Sequence, residues 1–202
     1  MKTKIVSYLH SELDADTVHG NVAGDYDFTH FYSDPHFGHR AIIEYCCRPF
    51  RNVDEMNEEL VRRYNEAVTD DSLVLWCGDV SFMKPDATEA ILSRLRGRKA
   101  IVIGNHDRSA AWYIDRGFEF AKREISFTMG GQRFRACHFP EMGHTADRRG
   151  KNRPVLRQGE WLIHGHTHSG TKLSGRHVHV GVDAWEYAPA SARQIIELVE
   201  AA

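Results

Sequence analysis

Cysteine is scarce in this chain of 202 residues, which holds four: Cys46, Cys47, Cys77 and Cys137. They form no Cys-x-x-Cys pair and no zinc-finger spacing, which argues against a thiolate-bound structural zinc, and reduced thiols are the simpler reading over a disulfide framework. No stretch approaches the roughly 20 apolar residues of a membrane span. After Met1, with Lys2 and Lys4, only a brief apolar run precedes His10-Ser11-Glu12, too short and too polar for a secretory h-region. The expectation is a cytoplasmic protein. Neither sign of charge dominates, since 26 Lys and Arg face 28 Asp and Glu for a net charge of -2. No global basic field therefore points to nucleic acid. Internal repeats and low-complexity segments are also missing. What is abundant is histidine, with 13 residues, several of them at the ends of apolar runs, where ligation is the chemistry to consider.

Four such runs end in metal-binding side chains. Phe28-Thr29-His30-Phe31-Tyr32 leads into Ser33-Asp34-Pro35-His36-Phe37-Gly38-His39, and Ser72-Leu73-Val74-Leu75-Trp76 into Cys77-Gly78-Asp79. Ala100-Ile101-Val102 leads into Ile103-Gly104-Asn105-His106-Asp107, and Trp161-Leu162-Ile163 into His164-Gly165-His166-Thr167-His168. Alternate residues of an extended segment share a side, which puts His166 and His168 together. Each motif alone is weak. As a set, Asp34, His36, Asp79, Asn105, His138, His166 and His168 supply N and O ligands without thiolate, an inventory that fits two divalent ions about 3.5–4 Å apart bridged by one carboxylate.

The pattern along the chain is strand, helix, strand, helix, strand, and then hairpins. Arg40–Cys47 has helical spacing, Asp54 is a candidate N-cap for a helix running to Val68, and Pro85 opens a helix that Gly97 ends. Strands are predicted at Phe28–Tyr32, Leu73–Trp76 and Ala100–Ile103, and a short helix at Ala110–Arg116. Glu124–Met129 and Gln132–His138 flank Gly130-Gly131, a two-residue hairpin signal. Strands at Trp161–His164 and His177–Val182 and a helix at Pro189–Val199 close the chain. The expected architecture is one α/β domain over residues 1–202, with two sheets and helices outside. Residues 1–27 are poorly assigned, Lys4–Leu9 being a candidate strand and His10 and His19 reading as surface histidines. Residues 141–159 form a polar loop with Arg148, Arg149, Lys151, Arg153 and Arg157, which fits both a phosphate-engaging lid and a solvated loop.

The ordered series D-x-H, G-D, G-N-H-D, a lone His and G-H-x-H resembles the calcineurin-like metallophosphoesterase superfamily. The likeness runs from Ser33 to about Asp183, nearest to small bacterial and phage members with the S-D-x-H-F-G-H form. The resemblance implies a four-layer αββα sandwich with two mixed β-sheets. It also implies that Asp34, His36 and His168 ligate one metal, that Asn105, His138 and His166 ligate the other, and that Asp79 bridges them. His144 competes with His138 for the lone-histidine position. His106 is the implied catalytic group, protonating the leaving alkoxide or stabilising the transition state, and Asp107 is expected to hold its imidazole charged and oriented, or to cap the helix near Ser109, or both. His39, Arg148 and Arg149 are candidate substrate contacts, with a structural role equally open for His39. His164 is not a ligand in this pattern, and Arg40, Arg48 and Trp185 are left unplaced.

The implied activity is hydrolysis of phosphate esters, diesters ahead of monoesters, with two divalent ions; manganese leads, and iron, zinc, nickel and cobalt also suit such ligands. A small phosphate ester or nucleotide is the expected substrate. A non-catalytic scaffold of the same fold is the competing class, disfavoured because every ligand position and His106 are present.

Overall fold

The structure is a computed structural model that describes residues 23–24, 26–141 and 153–202. The candidate strand Lys4–Leu9 and His10, His19, His144, Arg148, Arg149 and Lys151 lie outside them. Two mixed sheets face each other. The five-stranded sheet is ordered β11-β2-β3-β4-β5, from β2 (His30–Tyr32), β3 (Leu73–Trp76), β4 (Arg98–Val102), β5 (Ala121–Lys122) and β11 (Ala190–Ser191). In it β2 to β5 run parallel and only β11 is antiparallel. The six-stranded sheet is ordered β1-β6-β7-β8-β10-β9. It is built from β1 (Ala23–Gly24), β6 (Glu124–Met129), β7 (Gln132–Cys137), β8 (Glu160–His164), β9 (Leu173–Ser174) and β10 (His177–His179).

Period-two side-chain alternation separates the two cores. Phe31, Leu75, Ala100 and Val102 point between the sheets, where Phe31 stacks on Phe127 at 6.0 Å and Phe127 on Phe134 at 5.7 Å. Tyr32, Val74, Trp76 and Ile101 point the other way, against α1 (Arg40–Tyr45), α2 (Val53–Ala67), α3 (Pro85–Leu92) and α4 (Ala110–Ile114). Both faces of β3 are buried, which is why Leu73–Trp76 is uniformly apolar. α5 (Ala192–Glu200) buries Ile195 and Val199 in the inter-sheet core behind a Ser191–Gln194 capping box. This is the α/β sandwich of two mixed sheets flanked by helices that the sequence predicts. No helix of the described residues is long and apolar enough to cross a membrane.

Local differences have local causes. Asn52, not Asp54, caps α2, because its Oδ1 accepts from the Glu55 amide at 2.9 Å while Asp54 already lies in the first turn. α3 stops at Leu92, and Gly97 instead takes a positive φ of 74° in the turn entering β4. The hairpin turn is as predicted, with Gly130 at φ 57° and Gly131 at φ 74°, the pair of left-handed residues that a type I′ turn needs.

What matters for function is the register. Tyr32 pairs with Trp76 and Trp76 with Ile101, so parallel strands β2, β3 and β4 end almost flush. Ala136 pairs with Ile163 and Ile163 with Val178, so β7, β8 and β10 do the same in the other sheet. Carboxyl ends of parallel strands are where an open α/β sheet presents its binding loops.

Candidate metal centre

The chain turns abruptly at those strand ends. Asp34 (φ 56°), His36 (φ 52°), Asp79 (φ 56°), His166 (φ 70°) and His168 (φ 50°) all occupy the left-handed region. A non-glycine residue there costs about 1–3 kcal/mol and persists only where its surroundings impose it. The surroundings are other loops of the centre. The Asp34 amide donates to Gly78 O at 3.0 Å, the His36 amide to Asp79 O at 3.3 Å, and the Gly165 amide to His138 O at 3.0 Å. Glycine lets these loops nest, since a Cβ on Gly78 would stand 2.6 Å from the Gly104 nitrogen and 2.7 Å from His138 Nδ1. The glycines of G-D, G-N-H-D and G-H-T-H are therefore close-approach positions and not merely turns.

Three clusters of ligand atoms result among the described residues, each with its atoms within 4.8 Å of one another: Asp34, His36 and His168; Asp79, His138 and His166; and, sharing His168 with the first, Cys46, His168 and Asp183. The first two hold the side chains that the sequence singles out. In the second, His138 Nε2 lies 3.1 Å from Asn105 Oδ1 and 3.2 Å from His166 Nδ1. Asp79 stands between these first two clusters, its Oδ2 being 3.5 Å from both His36 Nε2 and His138 Nε2. Ligands bonded at about 2.1 Å to one ion sit roughly 3.0–3.4 Å apart, so these separations suit shared cations.

The hydrogen bonding supports the same fit. His138 Nδ1 is 2.7 Å from Cys77 O, which only accepts, so in the neutral ring Nε2 turns its lone pair toward the Asn105 and Asp79 oxygens. Acceptors facing one another need a cation between them. His168 Nδ1 donates likewise to Asp183 Oδ2 at 2.9 Å, leaving Nε2 unprotonated when the ring is neutral. Asp34 Oδ1 and His36 Nε2 are buried without a hydrogen-bond partner, 3.8 Å apart. A cation bound between these two polar atoms would satisfy both.

Without metal the charges compensate internally. Burial opposes ionisation of Asp34 and Asp79, yet their histidine neighbours hold both carboxyls below the usual range. Burial also opposes the charge on His168, but the Asp183 carboxylate lifts it to about 10. His166, by contrast, falls to about 4 through burial and the neighbouring His138.

Behind the ligands lies a support that the sequence left unassigned. Arg48 is buried and forks onto Asp183, Nε to Oδ1 at 2.8 Å and a terminal nitrogen to Oδ2 at 3.0 Å. The same guanidinium donates to Pro35 O at 2.9 Å and Asp34 O at 2.8 Å. One side chain thus fixes the loop carrying Asp34 and, through Asp183, the ring of His168. His39 Nδ1 lies 3.2 Å from His36 Nδ1, against a ligand, which favours the structural side of its two expected roles. His164 stays out of the ligand set, with Nδ1 directed to Gly165 O at 2.8 Å and burial pushing it down to about 3.

His106 is exposed at the mouth of the centre, its amide donating to Asp79 Oδ1 at 2.9 Å. Asp107 requires a correction. Its Oδ2 accepts from the amides of Asp79 (2.8 Å) and Gly104 (2.7 Å), and its Oδ1 from the Val80 amide (2.9 Å) and the Tyr113 hydroxyl (2.7 Å). Four donors saturate the carboxylate, so it ties the Gly78-Asp79 loop to the Gly104-Asn105 loop instead of holding the His106 ring. Nor does it cap α4; Ser109 does, accepting from the Trp112 amide.

No protein-family model matches the chain. A protein of unknown function from Aquifex aeolicus, AQ665, superposes with a TM-score of 0.70 at 23% identity, over 84% of this chain and 97% of that one, a likeness of fold alone. The Gene 66 protein of Mycobacterium phage D29 is 32% identical over 178 residues, 77% of this chain and 87% of that protein. Uncharacterized protein MJ1445 of Methanocaldococcus jannaschii is 31% identical over 177 residues, 83% of this chain and 89% of its own length. At that identity and coverage, the chain belongs to one family with MJ1445 and the phage Gene 66 proteins.

Proposed function

We propose that the protein is a metal-dependent phosphoesterase that hydrolyses phosphate esters, diesters foremost, at a binuclear centre of the calcineurin-like kind. The observation that carries this reading is the position of Asp79, whose Oδ2 lies 3.5 Å from a histidine of each of the first two clusters. Asp34, His36 and His168 would hold one cation, Asn105, His138 and His166 the other, and Asp79 would reach both. Divalent ions held by these residues would neutralise phosphoryl oxygens and lower the pKa of a water toward about 7. The mixed imidazole and oxygen donor set accommodates manganese, the ion proposed here, as well as iron, zinc, nickel and cobalt.

The chain's own residues supply the rest. His106 stands exposed beside the clusters, its loop pinned by its amide to Asp79, and delivers a proton to the leaving-group oxygen. General acid help of this type is worth roughly 10²–10⁴-fold. Arg48 and Asp183 hold His168 in the tautomer that presents Nε2. Asp107 holds the bridging-carboxylate loop and the Asn105-His106 loop at fixed separation. The test is turnover of aryl phosphate mono- and diesters by Mn²⁺-reconstituted protein, with His106→Ala beside it and bound metal counted in both. Diester turnover that falls 10²-fold or more in His106→Ala at unchanged metal content is the expected result. Monoester turnover alone would redirect the assignment to a phosphatase, and full metal loading without turnover of either ester would refute it.

A further inference from the structure

An aromatic surface beside the centre is used by none of the roles above. Phe82 is 43% exposed and Tyr45 76% exposed. The Phe82 ring lies nearly parallel to His39 (centroids 4.1 Å apart, 18°) and to His36 (5.1 Å, 19°). It meets His106 at 4.8 Å with a tilt of 44°. Tyr45 approaches the far side of this stack, edge-on to His39 at 6.3 Å. One apolar ring therefore touches both a metal ligand and the proton donor while keeping a large share of its surface in water.

The ring is also held in place. The Phe82 amide donates to Phe37 O at 2.9 Å, and Ser81 Oγ donates to the same carbonyl at 3.2 Å. Ser81 Oγ accepts from the Met83 amide at 3.0 Å, and Met83 O accepts from Arg108 at 2.6 Å. Main-chain bonds on both sides of Phe82 leave it little freedom to fold inward. A single exposed phenylalanine is ordinary. A fixed one within a ring's width of the reacting groups is a surface prepared for a ligand, and a flat apolar surface is matched best by a flat ligand.

We propose that Phe82, backed by His39, is the specificity-determining residue of the centre, packing against the planar part of the substrate, a nucleobase or an aryl group, while the metal-binding side chains face its phosphate. The inference rests on the phosphoesterase reading and names the substrate class of that same site. Aromatic packing against a base is worth roughly 5- to 150-fold in affinity on substitution by alanine.

The experiment compares AMP with ribose 5-phosphate, which share the phosphate and differ by the base, by calorimetry on Mn²⁺-loaded protein. The wild type is expected to bind AMP roughly 5- to 150-fold more tightly. Phe82→Ala should abolish that preference while leaving ribose 5-phosphate affinity and manganese content unchanged, and Phe82→Trp should restore it. Equal affinity of the wild type for the two ligands would overturn the inference and leave the phosphoesterase reading standing. Phe82→Ala weakening both ligands alike would also overturn it, because the ring would then act only by supporting His36 and His106. If neither ligand binds the metal-loaded protein, this inference is overturned, while the phosphoesterase reading stands or falls on turnover of the aryl mono- and diesters.

Discussion

Replacing Asp107 by asparagine separates two roles that a residue beside His106 could have. The native carboxylate accepts four hydrogen bonds, two on each oxygen. An amide keeps one oxygen, so its NH₂ group faces two former donors. A hydrogen bond to a charged acceptor contributes about 1.5–3 kcal/mol, and losing two removes about 3–6 kcal/mol. No longer burying a full charge returns part of this, leaving a net loss near 3 kcal/mol. For a chain of this size that is a fall in Tm of about 6–12 °C. Tyr113→Phe removes one bond and leaves the Val80 amide on Oδ1, so its loss should be about 1–2 kcal/mol. Thermal unfolding of the metal-free proteins reads both. Because Asp107 joins the loops of Asp79 and Asn105, Asp107→Asn should also weaken Mn²⁺ binding, read by titration. Unchanged Tm and metal affinity, together with a lowered kcat and a displaced pH profile, would refute the reasoning and return Asp107 to the role of orienting His106.

Three further outcomes follow from the same geometry. Asp183→Asn should weaken Mn²⁺ binding about 10–100-fold, because His168 loses the carboxylate that fixes its tautomer and Arg48 is left with half its fork; a calorimetric titration measures this. Gly78→Ala should cost about 3 kcal/mol or more, since its Cβ would meet the Gly104 backbone at a φ of 94°, and Tm with residual metal content reports it. In metal-free protein His168 is raised from about 6.5 to about 10, so its contribution to stability is complete below pH ~6.5 and lost as pH rises toward ~10. The fall of Tm over that window should be shallower in His168→Gln, and an identical slope in the two would count against the Asp183 pairing.

Much of the candidate centre is legible in the sequence because each strand end carries its candidate ligands within a few residues. Asp34 and His36, or His166 and His168, need only local geometry to be recognised, and the apolar runs before them mark the strands. Asp183 and Arg48 could not be read that way, being 135 residues apart in sequence and joined only by the fold. Asp107 is hard to read for a related reason: adjacency suggests His106 as its partner, whereas two of its four donors, the Asp79 and Val80 amides, come from a chain segment that only the loops' nesting brings near. The left-handed backbone of five candidate ligands is likewise invisible in composition, since Asp and His carry no such preference strong enough to predict it. Phe82 reads as one more apolar residue after Gly-Asp, and only its exposure, its stacking on His36 and His39 and its tilted contact with His106 set it apart.

The central claim is that Asp79 bridges two cations, and electron paramagnetic resonance of the Mn²⁺-loaded protein tests it most directly. Two equivalents of Mn²⁺ about 3.5–4 Å apart should give a spin-coupled multiline signal, and Asp79→Asn should collapse it to the six-line spectrum of isolated ions or lose an equivalent altogether. A wild-type protein that saturates at one equivalent, or that binds two without coupling, would contradict the bridged centre.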